Sequence, residues 1–497
     1  MESSSNSKQA MWVAIGQFCA YAIGIISPMI LSRYFDKGDY GTYKQVMYVY
    51  STLTTVFTFG IPRAYSYFIP RVAIGESRDV VRKITNIFIC IGVFFSTLLF
   101  LGSPQIAQLL KNPDLEIALK CFSPTPLFLM PVMGLDCILA SYKKTQFLAI
   151  YSISTKVFTL VCIVLPVIFF KGTYVHAIIG FDIASFITFL LALYLRNIPT
   201  RGIPLEKTTI TIRDILRFSV PLMVASIWIM IFQSANQFFV SRYYGNEVFA
   251  DFSNGFIEFP IIPMVVNSVA TVLMPVFSGM LVNNKEGIKN VWASALSKSI
   301  KIIYPITIFS IVFSTLIMMC FYGHAYQSSG IYFLIKNFEG FFAIIPFYPI
   351  LLALGKTKEY SNIHMVIAVV IIPLDYIVVK LGMSAAIIGV VYVLCLFAKV
   401  LLQFILVSKA VNLTFRDLIP YKEMLKVGGG AAVSTVIPYY LTILYPAINK
   451  YLLLVWSVFI FVVIYYALCW LMKITYKDVV AGYLSKSRLN SVVKLIP

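Results

Sequence analysis

The sequence predicts an all-α polytopic membrane protein with about fourteen transmembrane helices, and three observations carry that prediction. First, 59% of the 497 residues are apolar and only 12% are charged, with a mean hydropathy of +0.85. Soluble chains coat themselves with roughly a quarter charged residues, so the surplus apolar surface must face lipid. Second, the chain breaks into runs that reach the ~20 apolar residues needed to cross a bilayer. Third, the cations between those runs alternate from side to side by roughly three to one, as the positive-inside rule requires.

The runs follow one another in order. Six come first: Met11–Leu31, Tyr43–Phe68, Ile84–Leu101, Ile117–Ser141, Phe147–Phe170 and Tyr174–Leu195. Six more follow a polar linker: Ile215–Val240, Ala250–Met280, Ile302–Tyr322, Ile331–Leu354, Tyr360–Leu381 and Ser384–Val407. Leu425–Leu444 and Tyr451–Leu471 close the chain. The run after Ala250 is long and carries two break points, Pro260 and Pro263. With a cytoplasmic N-terminus the inner loops hold clusters such as Arg78, Arg82, Lys83 and Arg196, Arg201, Lys207. The outer loops hold scattered cations such as Lys111 and Lys171. Both termini are therefore expected in the cytoplasm.

The polar connections divide the chain into residues 1–195, a cytoplasmic linker 196–214, residues 215–407, and a final pair with a basic cytoplasmic tail, 408–497. The two blocks of six carry an internal repeat. Ser32-Arg33-Tyr34-Phe35 follows the first run and Ser241-Arg242-Tyr243-Tyr244 the seventh. Ala177-Ile178-Ile179-Gly180 and Ala386-Ile387-Ile388-Gly389 open the sixth and twelfth at the same separation. An even number of spans per copy makes the lobes parallel, the geometry of transporters that bind between two halves. A polar stripe supports the reading: Ala14, Gln17, Tyr21, Gly24 and Pro28 on the first helix, and Met223, Ser226, Met230, Gln233 and Gln237 at the same offset. Such stripes line a watery cavity or pack helix on helix.

Several function classes are excluded. The net charge of +19 resides in short loops, so topology explains it and nucleic acid does not. The eight cysteines lie in apolar stretches without a CxxC, as packing residues do. His176, His324 and His364 are scattered, so no metal and no cofactor is expected. No phosphate-binding loop is present, and the chain is not expected to be an enzyme. No cleavable signal peptide is expected before the first run, which should stay in the membrane as the first helix.

Ser32-Arg33-Tyr34-Phe35-Asp36-Lys37-Gly38-Asp39-Tyr40-Gly41-Thr42-Tyr43-Lys44-Gln45, followed by Phe59-Gly60-Ile61-Pro62-Arg63, resembles a hallmark of the Wzx-type polysaccharide flippases. These belong to the multidrug/oligosaccharidyl-lipid/polysaccharide exporter superfamily. The resemblance implies a flippase in the bacterial inner membrane. Its substrate would be an undecaprenyl-diphosphate-linked oligosaccharide, moved from the inner to the outer leaflet for O-antigen or related surface-polysaccharide (lipopolysaccharide) assembly. Membrane lipid, a coupling H+ or Na+ and a polysaccharide polymerase are the implied partners. An ion-coupled multidrug antiporter of the same superfamily is the first alternative, and a membrane polymerase or glycosyltransferase the second.

Ionisable residues within the spans are candidates by default, because lipid penalises charge. Arg63, Lys156 and Lys399 lie in the inner halves of their spans and are read either as a basic cavity for the diphosphate head or as snorkelling cations. Gln17, Gln233, Gln237, Arg33 and Arg242 complete the substrate-binding set, the two arginines doubling as interfacial anchors. Asp136, Asp182, Glu258 and Asp375 are the ion-coupling candidates. Lys336 and Glu339, three residues apart on a helix, are expected to pair structurally.

Overall fold

The computed structural model describes residues 2–477, apart from 59, 260, 281–284, 343, 345–346, 412–413, 415–417 and 446–447. The end of the basic tail, including Lys486, Arg488 and Lys494, lies outside the described residues, as does Pro260. Every regular element described is helical, and the chain is a multi-pass membrane protein. In order the helices are α1 (Glu2–Tyr34), α2 (Lys37–Phe57), α3 (Pro62–Phe68), α4 (Ile74–Leu110), α5 (Asp114–Phe122), α6 (Thr125–Leu129), α7 (Leu135–Ser141), α8 (Thr145–Phe170), α9 (Tyr174–Asn197) and α10 (Ile212–Tyr243). Then come α11 (Asn246–Gly255), α12 (Ile261–Met280), α13 (Lys285–Val312), α14 (Ser314–Tyr322), α15 (Ser329–Asn337), α16 (Phe347–Ala353), α17 (Thr357–Lys380), α18 (Ala385–Val411), α19 (Tyr421–Leu444) and α20 (Lys450–Leu471). Among the described residues, nine helical stretches are long and apolar enough to cross a membrane on their own.

Among the described residues five of the fourteen expected runs are broken helices, one of which, Asp114–Ser141, still counts among the nine. Phe57 ends α2 and Pro62 starts α3, where a missing N–H costs nothing. Asp114–Ser141 is cut into α5, α6 and α7 at Pro124, Pro131 and Gly134. The long run after Ala250 parts between α11 and α12, close to the prolines that flag it. Ile302–Tyr322 parts at Phe313 between α13 and α14. Ile331–Leu354 parts between α15 and α16, after a tight turn at Phe338–Phe341. Interrupted backbone at membrane depth has to be shielded by protein or face a cavity.

The chain forms two compact units, Met1–Ala250 and Asp251–Pro497. In the first, α8 packs between α1 and α9, and α10 packs on α2 and α4. The Tyr40-Gly41 pair earns its place by close approach. A Cβ at Gly41 would sit 2.1 Å from the Asn246 carbonyl oxygen, so only glycine lets the start of α11 lie against α2. Around it runs a buried polar network. Asn112 donates to Gln45 at 2.5 Å and to Thr42 at 3.0 Å, and Gln45 donates to Ser241 on α10 at 2.9 Å. Reciprocal bonds between Thr211 and Asp214 cap the start of α10. In the second unit, Trp292, Phe277, Phe347 and Phe404 form the centre of an apolar core, and the Trp292 indole donates to the Leu418 carbonyl at 3.2 Å. There α19 packs on α13 and α20, and α17 on α18.

Candidate functional site

Each unit holds some of its intramembrane charge beside helix breaks. In the first unit α3 packs on α7, the segments just past the two breaks. Arg63 sits in the first turn of α3 and Asp136 in the first turn of α7. Both lie within electrostatic range of Cys137, which places the two opposite charges in one neighbourhood. Asp136 opens onto a cavity of about 370 Å³. Gln17 from α1, Tyr50 from α2, and Tyr151 and Ser152 from α8 line it. Lys156 follows Ser152 by four residues on α8, hence on the same helix face, and is exposed. Gln17 and Asp136 thus meet at one cavity with Arg63 in the same neighbourhood, while Lys156 is not among the cavity's lining residues. The tyrosines are additions that no motif announced.

The second unit repeats this anatomy with different charges. Glu258 occupies the break between α11 and α12, Lys336 the last turn of α15 and Glu339 the tight turn that follows it. The expected Lys336–Glu339 pair forms at 2.8 Å, and both side chains are buried. It is more than a pair. Lys336 also donates to the Tyr392 hydroxyl at 3.3 Å and lies over the rings of Tyr392 and Phe256, 4.6 and 5.3 Å from their centroids. Glu258 and Lys399 lie within electrostatic range of Lys336 and Glu339, and His364 within range of Lys399. The second oxygen of Glu339 is buried without a hydrogen bond among the described residues.

The other predicted residues lie apart from these clusters. Asp375 on α17 is fully buried, and neither carboxyl oxygen has a hydrogen-bond partner among the described residues. Cys395 on α18 lies within its electrostatic range. Asp182 accepts a bond from Thr125 at the start of α6. Arg33 is exposed at the end of α1, and Arg242 donates to the Leu109 carbonyl and lies over the Tyr243 ring. Of the α10 stripe, Gln233 is exposed and Gln237 half-buried, while the Ala14 side chain lies outside the described residues.

Two nearly polar-free cavities flank α13. One, of about 650 Å³, lies against α14 and α20, with Phe309, Phe321, Val458 and Phe461 among its walls. The other, of about 780 Å³, lies against α18 and α19, with Ile308, Phe397, Leu425 and Ala432 among its walls. Composition gave no hint of either, because the same residues would serve equally well as packing.

These features sit on a known architecture. Lipid II flippase MurJ in an inward closed conformation aligns with a TM-score of 0.70 at 16% identity, over 95% of this chain and 100% of that one. An inward-facing multidrug resistance MATE family transporter of the MOP superfamily aligns with a TM-score of 0.58 at 13% identity, over 81% and 95%. A MOP superfamily transporter from Pyrococcus furiosus aligns with a TM-score of 0.56 at 14% identity, over 82% and 96%. At such identities the likeness establishes the fold. No curated protein matches the sequence. A family model for polysaccharide biosynthesis proteins matches residues 7–281, more than half of the 497 residues. On that match the chain belongs to the polysaccharide biosynthesis protein family.

Proposed function

We propose that this protein is a flippase that carries a lipid-linked oligosaccharide from the inner to the outer leaflet of the bacterial cytoplasmic membrane, with both termini in the cytoplasm. The observation that carries the reading is a pairing of two environments. Charged groups at helix breaks supply a polar path, and large apolar cavities beside the last helices supply a seat for a lipid tail. A drug antiporter needs the first, but not 650–780 Å³ of nearly polar-free cavity. An undecaprenyl-diphosphate carrier uses both, and O-antigen or a related surface polymer is the product we assign, handed on to a polysaccharide polymerase.

In this mechanism Arg63, with Lys156 and Lys399, receives the diphosphate head. Arginine matches phosphate oxygens with a planar fork, and lysine contributes a point charge. Gln17, Gln233 and Gln237 offer amides to the sugar, while Arg33 and Arg242 flank the exit. Coupling to H+ or Na+ falls to the intramembrane acids Asp136, Asp182, Glu258 and Asp375. Asp375 is the strongest of these, because an isolated buried carboxylate is costly and a bound cation or proton would offset that cost. A substrate drives the cycle only through different affinity for the inward and outward states, so the head contacts must loosen on the outer side. The two six-span lobes, residues 1–195 and 215–407, are the elements we assign to that alternation. The repetition of broken spans in both copies supports the assignment.

The test is surface polymer in a deletion strain complemented with variants at equal membrane abundance. Arg63→Glu is expected to abolish export and Arg63→Lys to keep part of it, because charge survives and the fork does not. Asp375→Asn is expected to slow export and remove its dependence on the ion gradient. Full export by Arg63→Glu would take Arg63 out of the site. Full export by charge reversals at Arg63, Lys156 and Lys399 alike would end the basic-cavity mechanism.

A further inference from the structure

A second polar cavity in the first unit shares no lining residue with the Asp136 cavity. It holds about 460 Å³ between α4, α9 and the start of the linker that follows α9. Arg78 and Arg82 reach it from successive turns of α4, and Arg196 from the last turn of α9. None of its described lining residues is acidic. Of the acids nearby, Asp79 holds Lys83 at 2.9 Å with Arg82 also in its electrostatic range, and the Glu206 carboxyl lies against Gly75. A guanidinium carries five N–H donors. Among the described residues Arg78 spends one on the Ile203 carbonyl at 2.8 Å and Arg196 one on the Thr85 hydroxyl at 3.0 Å. Several donors of each therefore remain for an anion.

The walls change character with depth. Along α4 the lining runs from Arg78 and Arg82 through Asn86 to Ile89. Along the neighbouring α9 it runs back from Arg196 through Leu193 to Phe189. Seven helical residues separate Arg82 from Ile89, a rise of about 10 Å. Charge at one end and hydrocarbon at the other is the profile of a phospholipid, not of a soluble anion, which would use the charged end alone. The geometry points to a binding site for the headgroup of an anionic phospholipid, with its phosphate on Arg78, Arg82 and Arg196 and its acyl chains along Ile89, Leu193 and Phe189. Basic pockets between transmembrane helices suit such heads. The site is independent of the transported substrate, and only its leaflet, the inner one, depends on the proposed orientation.

The site's occupant would also brace the linker, whose first residues form part of the wall. The linker is strapped to the start of α4 at several points. Lys83 donates to the Thr208 and Ile210 carbonyls at 3.3 and 2.9 Å, and the Thr208 amide donates to Asp79 at 3.1 Å.

Native mass spectrometry of the full chain, released from phosphatidylcholine nanodiscs with a minor share of phosphatidylglycerol, tests the assignment. The wild type is expected to retain phosphatidylglycerol preferentially. Arg82→Gln, which removes a guanidinium with no hydrogen bond among the described residues, should lower that preference about fivefold, and Arg78→Gln with Arg82→Gln about thirtyfold. Lys422→Gln with Lys426→Gln, a charge-matched change at exposed positions of the second unit, should leave it unchanged. An equal loss in the Lys422/Lys426 variant would mean diffuse surface attraction and overturn the site. So would undiminished retention in the double arginine variant. Displacement of the lipid by millimolar inorganic phosphate or glycerophosphate would make it a free-anion site and overturn the lipid assignment; failure of both to displace it supports that assignment.

Discussion

Lys336 is held by a carboxylate at 2.8 Å, a phenol at 3.3 Å and two aromatic faces. Its spacing to Glu339 predicts a helical ion pair, and the pair exists. What spacing could not reveal is that both side chains are buried and that Glu258 and Lys399 join them, because those residues come from other helices. Removing one partner of a buried pair strands the other charge, at a cost of about 3–5 kcal/mol. Lys336→Met is therefore expected to lower the thermal unfolding midpoint of the detergent-purified protein sharply, while Lys336→Met with Glu339→Gln should recover much of the loss. Equal midpoints for the single and double variants would show that Glu339 has other means of support. Gln45 gives a parallel lesson. It closes the motif that resembles the flippases, yet it is fully buried between Asn112 and Ser241, so its role there is to hold α2 in place.

At the scale of elements, the broken spans place Arg63, Asp136, Glu258 and Glu339. Pro62, Pro124 and Pro131 lie in the sequence for anyone to read, but proline alone does not break a membrane helix. Pro28, Pro166, Pro305, Pro373 and Pro438 all sit inside continuous helices. Neighbouring packing decides which proline interrupts. The Ala-Ile-Ile-Gly repeat shows the same dependence. A Cβ at Gly180 would meet the Cys162 carbonyl oxygen at 2.1 Å, whereas at Gly389 the nearest atom is a Phe256 ring carbon at 3.1 Å. One tetrapeptide thus serves a backbone contact in one copy and a side-chain contact in the other. Gly41 offers the sharpest test of an element contact. Gly41→Ala is expected to cost about 1–3 kcal/mol or more, measured as a fall in unfolding midpoint, since the obstacle is a backbone carbonyl that cannot turn aside. Gly24→Ala, where nothing lies within 4 Å, should be neutral. Equal effects at the two sites would remove the contact from consideration.

At the scale of the whole molecule, loop charge is the feature from which the orientation of the chain is proposed. Reporter fusions after Gln9 and after Lys486 are expected to report the cytoplasm at both ends, and a periplasmic signal at either would require a different span count. The helical membrane architecture was legible from sequence because hydrocarbon imposes a rule that every crossing segment must obey: about 20 apolar residues, with the backbone satisfied internally. Such a rule acts segment by segment, so composition and periodicity record it. The candidate site obeys no such local rule. Arg63 and Asp136 are far apart along the chain, and so are Glu258 and Glu339; only packing of half-helices brings each pair into one field. The apolar cavities beside α13 and the arginine pocket between α4 and α9 are likewise spaces between helices, and a space has no residue of its own to mark it in a sequence. The sequence by itself determined which segments enter the membrane and which ionisable residues go with them; the tertiary structure alone decided which of those residues meet, because their contacts are made across helices and not along one.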